Sequence, residues 1–115
     1  MYSVKILNTC EIRMASPYNI ADVELSGEFV PDLRGVEFQD VYCINDIGDS
    51  VILVQWAIKN NQPGFMLWLI SSELNSIKKS DRIEGICENV MFLGNSRVKI
   101  TLVKNNIKEY FDVLL

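Results

Sequence analysis

Two apolar runs near the middle of the chain set the pattern for the rest. Residues 51–58 read Val-Ile-Leu-Val-Gln-Trp-Ala-Ile and residues 65–70 read Phe-Met-Leu-Trp-Leu-Ile, with Lys-Asn-Asn-Gln-Pro-Gly between them. Each run has the length of a strand and neither alternates cleanly, which predicts a β-hairpin buried on both faces. A loop over residues 60–64 centres the pairing on Gln62 and sets Trp56 directly opposite Trp68.

Toward the N-terminus the pattern changes to a period of two. In residues 2–14, Val4, Ile6, Cys10, Ile12 and Met14 share one face and Lys5, Thr9, Glu11 and Arg13 the other, with a break at Leu7 and Asn8. In residues 20–29, Ala21, Val23, Leu25, Gly27 and Phe29 lie opposite Asp22, Glu24, Ser26 and Glu28. Alternation of this kind predicts strands with one packed and one wet face. A turn at residues 16–19 would pair Met14 with Ala21, Ile12 with Val23, Cys10 with Leu25 and Ile6 with Phe29. Arg13 then faces Asp22, at the cost of Glu11 facing Glu24.

Further strands are predicted over residues 36–45, 82–93, 97–104 and 110–115. Leu74 and Ile77 are spaced three apart, a serine at 71 or 72 can cap, and Lys78 and Lys79 suit a C-terminal turn. Together these predict one short helix near residues 71–79. Asn105-Asn106 predicts a two-residue type I′ turn, because asparagine tolerates positive φ. That turn pairs Ile100 with Phe111, Val98 with Val113 and Lys99 with Asp112, leaving Glu109 opposite Leu102 as its one misfit. About eight strands with mostly short connections imply an all-β fold, an antiparallel sandwich or a small barrel. At 115 residues the chain is expected to form a single globular domain over 1–115.

Composition fits this picture: 49% hydrophobic and 23% charged residues describe a folded chain rather than a disordered one. The apolar runs fall well short of the roughly 20 residues of a membrane span. The first residues show no apolar core or cleavage site of a secretion signal. Three widely separated cysteines, Cys10, Cys43 and Cys87, each lie within a strand-like run and read as buried thiols. Their odd number and spacing suit a reducing cytoplasm, with no cysteine metal site. Net charge is −4, but residues 1–50 hold nine acids and three bases, a net −6, and the remainder carries +2. That distribution argues against nucleic acid as partner and suits a basic protein.

The absence of histidine removes the commonest general base and metal ligand. Asp22 and Glu24, roughly 7 Å apart along one strand face, could in principle serve glycoside hydrolysis, but such stripes are ordinarily solvated. Asp22, Glu24 and Glu28 are therefore read as partner-binding residues and not as catalytic ones. Residues 45–50, Asn-Asp-Ile-Gly-Asp-Ser, lack the ligand set and terminal glutamate of a calcium loop, and the six glycines are scattered singly. No catalytic residue, cofactor or metal is expected. Size, acidity and the lack of catalytic motifs make the leading expectation a non-enzymatic, cytoplasmic protein-binding module, of which a toxin-neutralising immunity or inhibitor protein is one concrete form. The alternative is a small-ligand-binding barrel lined by Trp56, Trp68 and Arg82, although a core role is the commoner use of two such indoles.

Overall fold

The computed structural model describes residues 1–11, 19–94 and 96–115, and within them the chain is all-β. Ten strands follow in order: β1 (Ser3–Glu11), β2 (Asn19–Ser26), β3 (Phe38–Ile44), β4 (Ser50–Trp56) and β5 (Gly64–Ser71), then β6 (Ser76–Lys79), β7 (Ile83–Glu84), β8 (Ile86–Phe92), β9 (Arg97–Lys104) and β10 (Ile107–Leu114). One antiparallel sheet runs β1-β2-β3-β4-β5-β6, with β7 pairing the start of β5. A second, β10-β9-β8, packs against it. No helix long and apolar enough to cross a membrane occurs among the described residues.

The missing alternation in β4 and β5 has a direct cause: the larger sheet is covered on both faces. On one side Ile52, Val54, Phe65, Leu67 and Leu69 meet Cys87, Val90, Val98, Ile100 and Leu102 of the smaller sheet. On the other, Val51, Leu53, Trp68 and Ile70 pack with Tyr2, Leu25 and Phe38, under Phe29, Leu33 and Val36. Burial on two faces leaves no position for a polar residue to alternate into, so both strands read as continuous apolar runs.

The predicted Trp56–Trp68 register is wrong. Lys59 and Gln62 exchange two backbone hydrogen bonds, of 3.0 and 2.9 Å, around Asn60 (φ 52°) and Asn61 (φ 59°). This is a two-residue turn with both central residues left-handed. The pairing therefore pivots between Asn60 and Asn61, setting Leu53 opposite Trp68 and Trp56 opposite Phe65. The shift from the expected register is three residues, and an odd shift sends the two indoles to opposite faces.

The expected helix near 71–79 is also absent. Residues 72–75 form a turn, with the Leu74 N–H bonded to Ser71 Oγ at 3.3 Å and Asn75 at φ 45°. The chain then folds back as β6, placing Ile77 opposite Ile70. Leu74 and Ile77 are both exposed, so their spacing marks no buried stripe.

In the β1–β2 pair, Val4 faces Leu25 and Ile6 faces Val23, then a bulge at Leu7 shifts the ladder so that Thr9 faces Ala21 and Cys10 faces Ile20. The expected Cys10–Leu25 and Ile6–Phe29 pairs do not form. Those proposed for Ile12, Arg13 and Met14 lie outside the described residues. Asn19, assigned above to a turn, belongs to β2 and pairs with Glu11. Lys5, and not Glu11, stands opposite Glu24, so the like-charge conflict disappears.

The β9–β10 hairpin follows the expected register at every position, around Asn105 (φ 53°) and Asn106 (φ 63°). The predicted strand over 82–93 is cut in two by Gly85, which carries the chain from one sheet to the other at φ 116°. A Cβ there would stand 2.9 Å from the Val103 carbonyl oxygen, so the crossing requires glycine.

Candidate functional site

The acidic stripe begins as simple alternation. Val23 and Leu25 turn into the second core, so Asp22 and Glu24 face outward and are exposed. Glu28 lies just beyond β2, also exposed, and its carboxylate accepts a hydrogen bond from the Met1 amine. That bond holds the Glu28 carboxyl below its ordinary pKa. The corner is fixed from beneath by Tyr2, whose N–H bonds Gly48 O at 2.8 Å and whose hydroxyl donates to Phe29 O at 2.5 Å. Burial and the neighbouring Glu28 charge raise the Tyr2 phenol's pKa. The tyrosine ring also occupies the space a Cβ at residue 27 would need, which explains Gly27.

Asp22, Glu24 and Glu28 thus lie along one strand and its exit, as expected, but the stripe is not purely acidic. Lys5 sits across from Glu24 and Asn8 across from Asp22. Further along, Asp32 is held by Arg34 through a 2.9 Å ion pair that lowers its carboxyl pKa. Glu37 and Asp40 are exposed on either side of the start of β3. This edge of the larger sheet carries most of the negative charge of residues 1–50, whereas its opposite edge, β6, carries Lys78 and Lys79.

The three residues of the alternative site do not converge. Trp68 lies in the second core, its Nε1 donating to Gln55 Oε1 at 2.7 Å and its ring edge-on to Phe38 at 5.4 Å. Lys79 places its Nζ 4.0 Å from the Trp68 ring centroid. Trp56 points to the other face, where it lines an open cleft of about 370 Å³ with Gln39, Asp40, Val41 and Glu88. Both indoles are nearly buried, at 4% and 6% exposure, so each behaves as a core residue. Arg82 is committed to the hairpin end: its Nε donates to Ala57 O at 2.6 Å and an Nη to Gln62 O at 3.0 Å. Its guanidinium lies so close over Gly64 that a Cβ there would stand 2.5 Å from Cζ.

Comparison with known proteins is silent. No family model, curated protein or solved structure matches the chain. The reading of the surface therefore rests on its own chemistry.

A cleft of about 770 Å³ opens between Pro63 and the Asn105–Asn106 turn, over Gly85 and Ile86. Its charged lining is a Glu84–Lys104 ion pair at 2.7 Å, which lowers the carboxyl's pKa and raises the ammonium's, together with Glu88. Glu88 is itself paired to Lys108 at 3.4 Å. No cluster of metal-ligating side chains occurs among the described residues, nor any buried side-chain polar atom without a partner.

Gln39 is the residue that sequence reasoning missed. It is 3% exposed and bridges the two sheets, its Nε2 donating to Cys87 O at 2.9 Å while Cys87 N–H reaches its Oε1 at 3.4 Å. Both bonds fall where β8 bulges between Cys87 and Asn89. A bulge leaves backbone groups without ladder partners, and the carboxamide supplies them. The available signal was weak, because Gln39 stands beside Asp40 and Glu37 in a strand whose sequence does not show which polar residue turns inward. Cys87 itself is buried, and desolvation pushes its thiol up to about 12.

Proposed function

We propose that the chain is a non-enzymatic, cytoplasmic binding module that offers the outer face of β2, with Asp22, Glu24 and Glu28, to a basic protein partner. The observation that carries this reading is the concentration of exposed carboxylates on β2 and its exit, within a half of the chain holding nine acids against three bases. An immunity- or inhibitor-type role, in which a small acidic protein covers a basic surface of a toxin or enzyme, is the form that fits best. The two described thiols, Cys43 and Cys87, are both unbridged, which suits a reducing compartment. The Trp-lined ligand barrel is the weaker reading, because Trp56 and Trp68 face opposite ways and Arg82 is occupied by backbone carbonyls.

Recognition of this kind is steered by charge and weakened by salt. The test is affinity capture from the native host with wild type and with the Asp22→Lys/Glu24→Lys/Glu28→Lys variant, at about 0.05 and about 0.5 M salt. A basic protein retained by wild type at low salt, and lost with the variant or at high salt, supports the reading. Capture that is indifferent to both the substitutions and the salt overturns it.

A further inference from the structure

Each outer strand of the two sheets differs in how its edge is guarded. Exposed sheet edges recruit other strands unless they are bulged, shortened, charged or covered. β1 is bulged at Leu7, while β6 has only four residues and bears Lys78 and Lys79. β8 is bulged and tied to β3 through Gln39. β10 differs from all of these: its ladder with β9 runs over eight pairs without a register shift, and its outer edge meets no described strand. Its solvent-facing side alternates charged and apolar residues, with Lys108 and Asp112 of opposite sign among Tyr110, 64% exposed, and Leu114, 81% exposed, and with Ile107 and Phe111 exposed beside them.

The hairpin geometry determines which groups point outward. A two-residue turn makes its flanking residues, here Lys104 and Ile107, a pair that exchanges both backbone hydrogen bonds. Odd-numbered residues of β10 therefore bond β9, consistent with the Leu115 N–H bonded to Ser96 O at 2.8 Å. Lys108, Tyr110, Asp112 and Leu114 direct their N–H and C=O groups away from β9, toward the open edge.

We propose that β10 pairs antiparallel with β10 of a second copy of this chain, about a two-fold axis at Tyr110, joining the two small sheets into one six-stranded sheet. The argument for a second copy is charge complementarity. The two-fold at Tyr110 sets Lys108 of one copy opposite Asp112 of the other, twice by symmetry, with the two tyrosines side by side at the centre. Those same residues carry the outward backbone groups, so the three pairs supply about six interchain N–H···O=C bonds. Phe111 then lies across from Glu109, whose methylenes can cover part of the ring. A two-fold at Phe111 would set Lys108 against Leu114 and lose both charge pairs. A two-fold at Glu109 would oppose like charges.

In solution, Lys108 leaves its exposed contact with Glu88, and Asp112 its exposed contact with Arg97, to make the interchain pairs. The experiment is sedimentation velocity over about 1 to about 100 µM. Wild type is expected to approach about 26 kDa, twice the 13.1 kDa chain. Lys108→Glu is expected to weaken association about tenfold, and the swap Lys108→Glu/Asp112→Lys to restore it. Tyr110→Pro removes an outward N–H without breaking the β9–β10 ladder, and is expected to give a monomer whose melting temperature shows that it still folds. Wild type that stays monomeric at every concentration overturns the proposal, leaving the edge to a strand of another protein. A dimer indifferent to both the charge reversal and the proline overturns it as well.

Discussion

Replacing Gln39 with leucine separates the contribution of its two hydrogen bonds from that of its volume. The carboxamide is nearly buried and spans from β3 to the Cys87 peptide, where the larger sheet meets the smaller one. Leucine fills similar space but leaves the Cys87 C=O, and the more weakly held Cys87 N–H, without partners. An unsatisfied buried backbone group costs about 1–3 kcal/mol. The added apolar burial offsets about 1–2 kcal/mol of the combined loss. The expected net loss is about 2–3 kcal/mol, a substantial part of the 5–15 kcal/mol typical of a domain.

Urea unfolding followed by tryptophan fluorescence measures this directly, since Trp56 and Trp68 lie one on each face of the larger sheet. With a slope of about 1.5 kcal/mol per molar, the midpoint should fall by roughly 1.5 M at unchanged slope. Gln39→Asn, too short to reach both groups, should fall with it. A leucine variant as stable as wild type would refute the reasoning, because it would mean that the bulge at Cys87 satisfies its backbone without the carboxamide.

Three further expectations follow from packing and burial. Trp56→Ala and Trp68→Ala should each cost about 3–5 kcal/mol, and the double variant should equal their sum to within about 0.5 kcal/mol, because the indoles lie on opposite faces of the larger sheet; a coupling above about 1 kcal/mol in the denaturation cycle would restore the cross-strand pair. Gly85→Ala meets both a positive φ and the Val103 carbonyl, so its melting temperature should fall by about 5–15 °C in calorimetry, while Gly94→Ala, with nothing within 4 Å, should melt as wild type does. The Cys87 thiol should react with a thiol reagent at pH 8 only on unfolding, and rapid native labelling at that position would contradict its burial. Its raised pKa also sets a sign: above the unfolded value of about 8.5 the unfolded state holds fewer protons than the folded one, so stability attributable to this group falls as pH rises toward about 12.

How much of the fold could be read from sequence depended on whether local chemistry fixed the pivot of each hairpin. Alternation alone does not choose a register, because any even slip returns apolar residues to apolar partners. The β9–β10 register was legible because Asn105-Asn106 fits one kind of turn. The same dipeptide at Asn60-Asn61 was available, but Pro63 and Gly64 drew the loop outward, and the pivot moved with them. In the first hairpin the break at Leu7 and Asn8 was visible, yet its meaning as a bulge was not, and that bulge moves the faces beyond it by one residue. Leu74 and Ile77 had helical spacing without burial, and a four-residue turn satisfied the same sequence.

The surface is legible in a different way, because a wet face is defined by what it avoids and not by what it contacts. Asp22 and Glu24 point outward because Val23 and Leu25 must point in, a constraint that holds whether or not anything binds there. What the register adds is the neighbour. Lys5 opposite Glu24 tempers the middle of the stripe, while Glu28 is engaged by the Met1 amine at the corner. A basic partner would thus meet the Lys5 charge beside Glu24 and compete with the Met1 amine at Glu28, exchanging exposed, weakly held contacts for its own. The same logic applies at β10, where Lys108 and Asp112 hold exposed intrachain partners until a second strand arrives. At Glu28 and along β10 the charges already hold exposed partners at little cost to break, so selectivity resides in the backbone and apolar groups that come into register beside them.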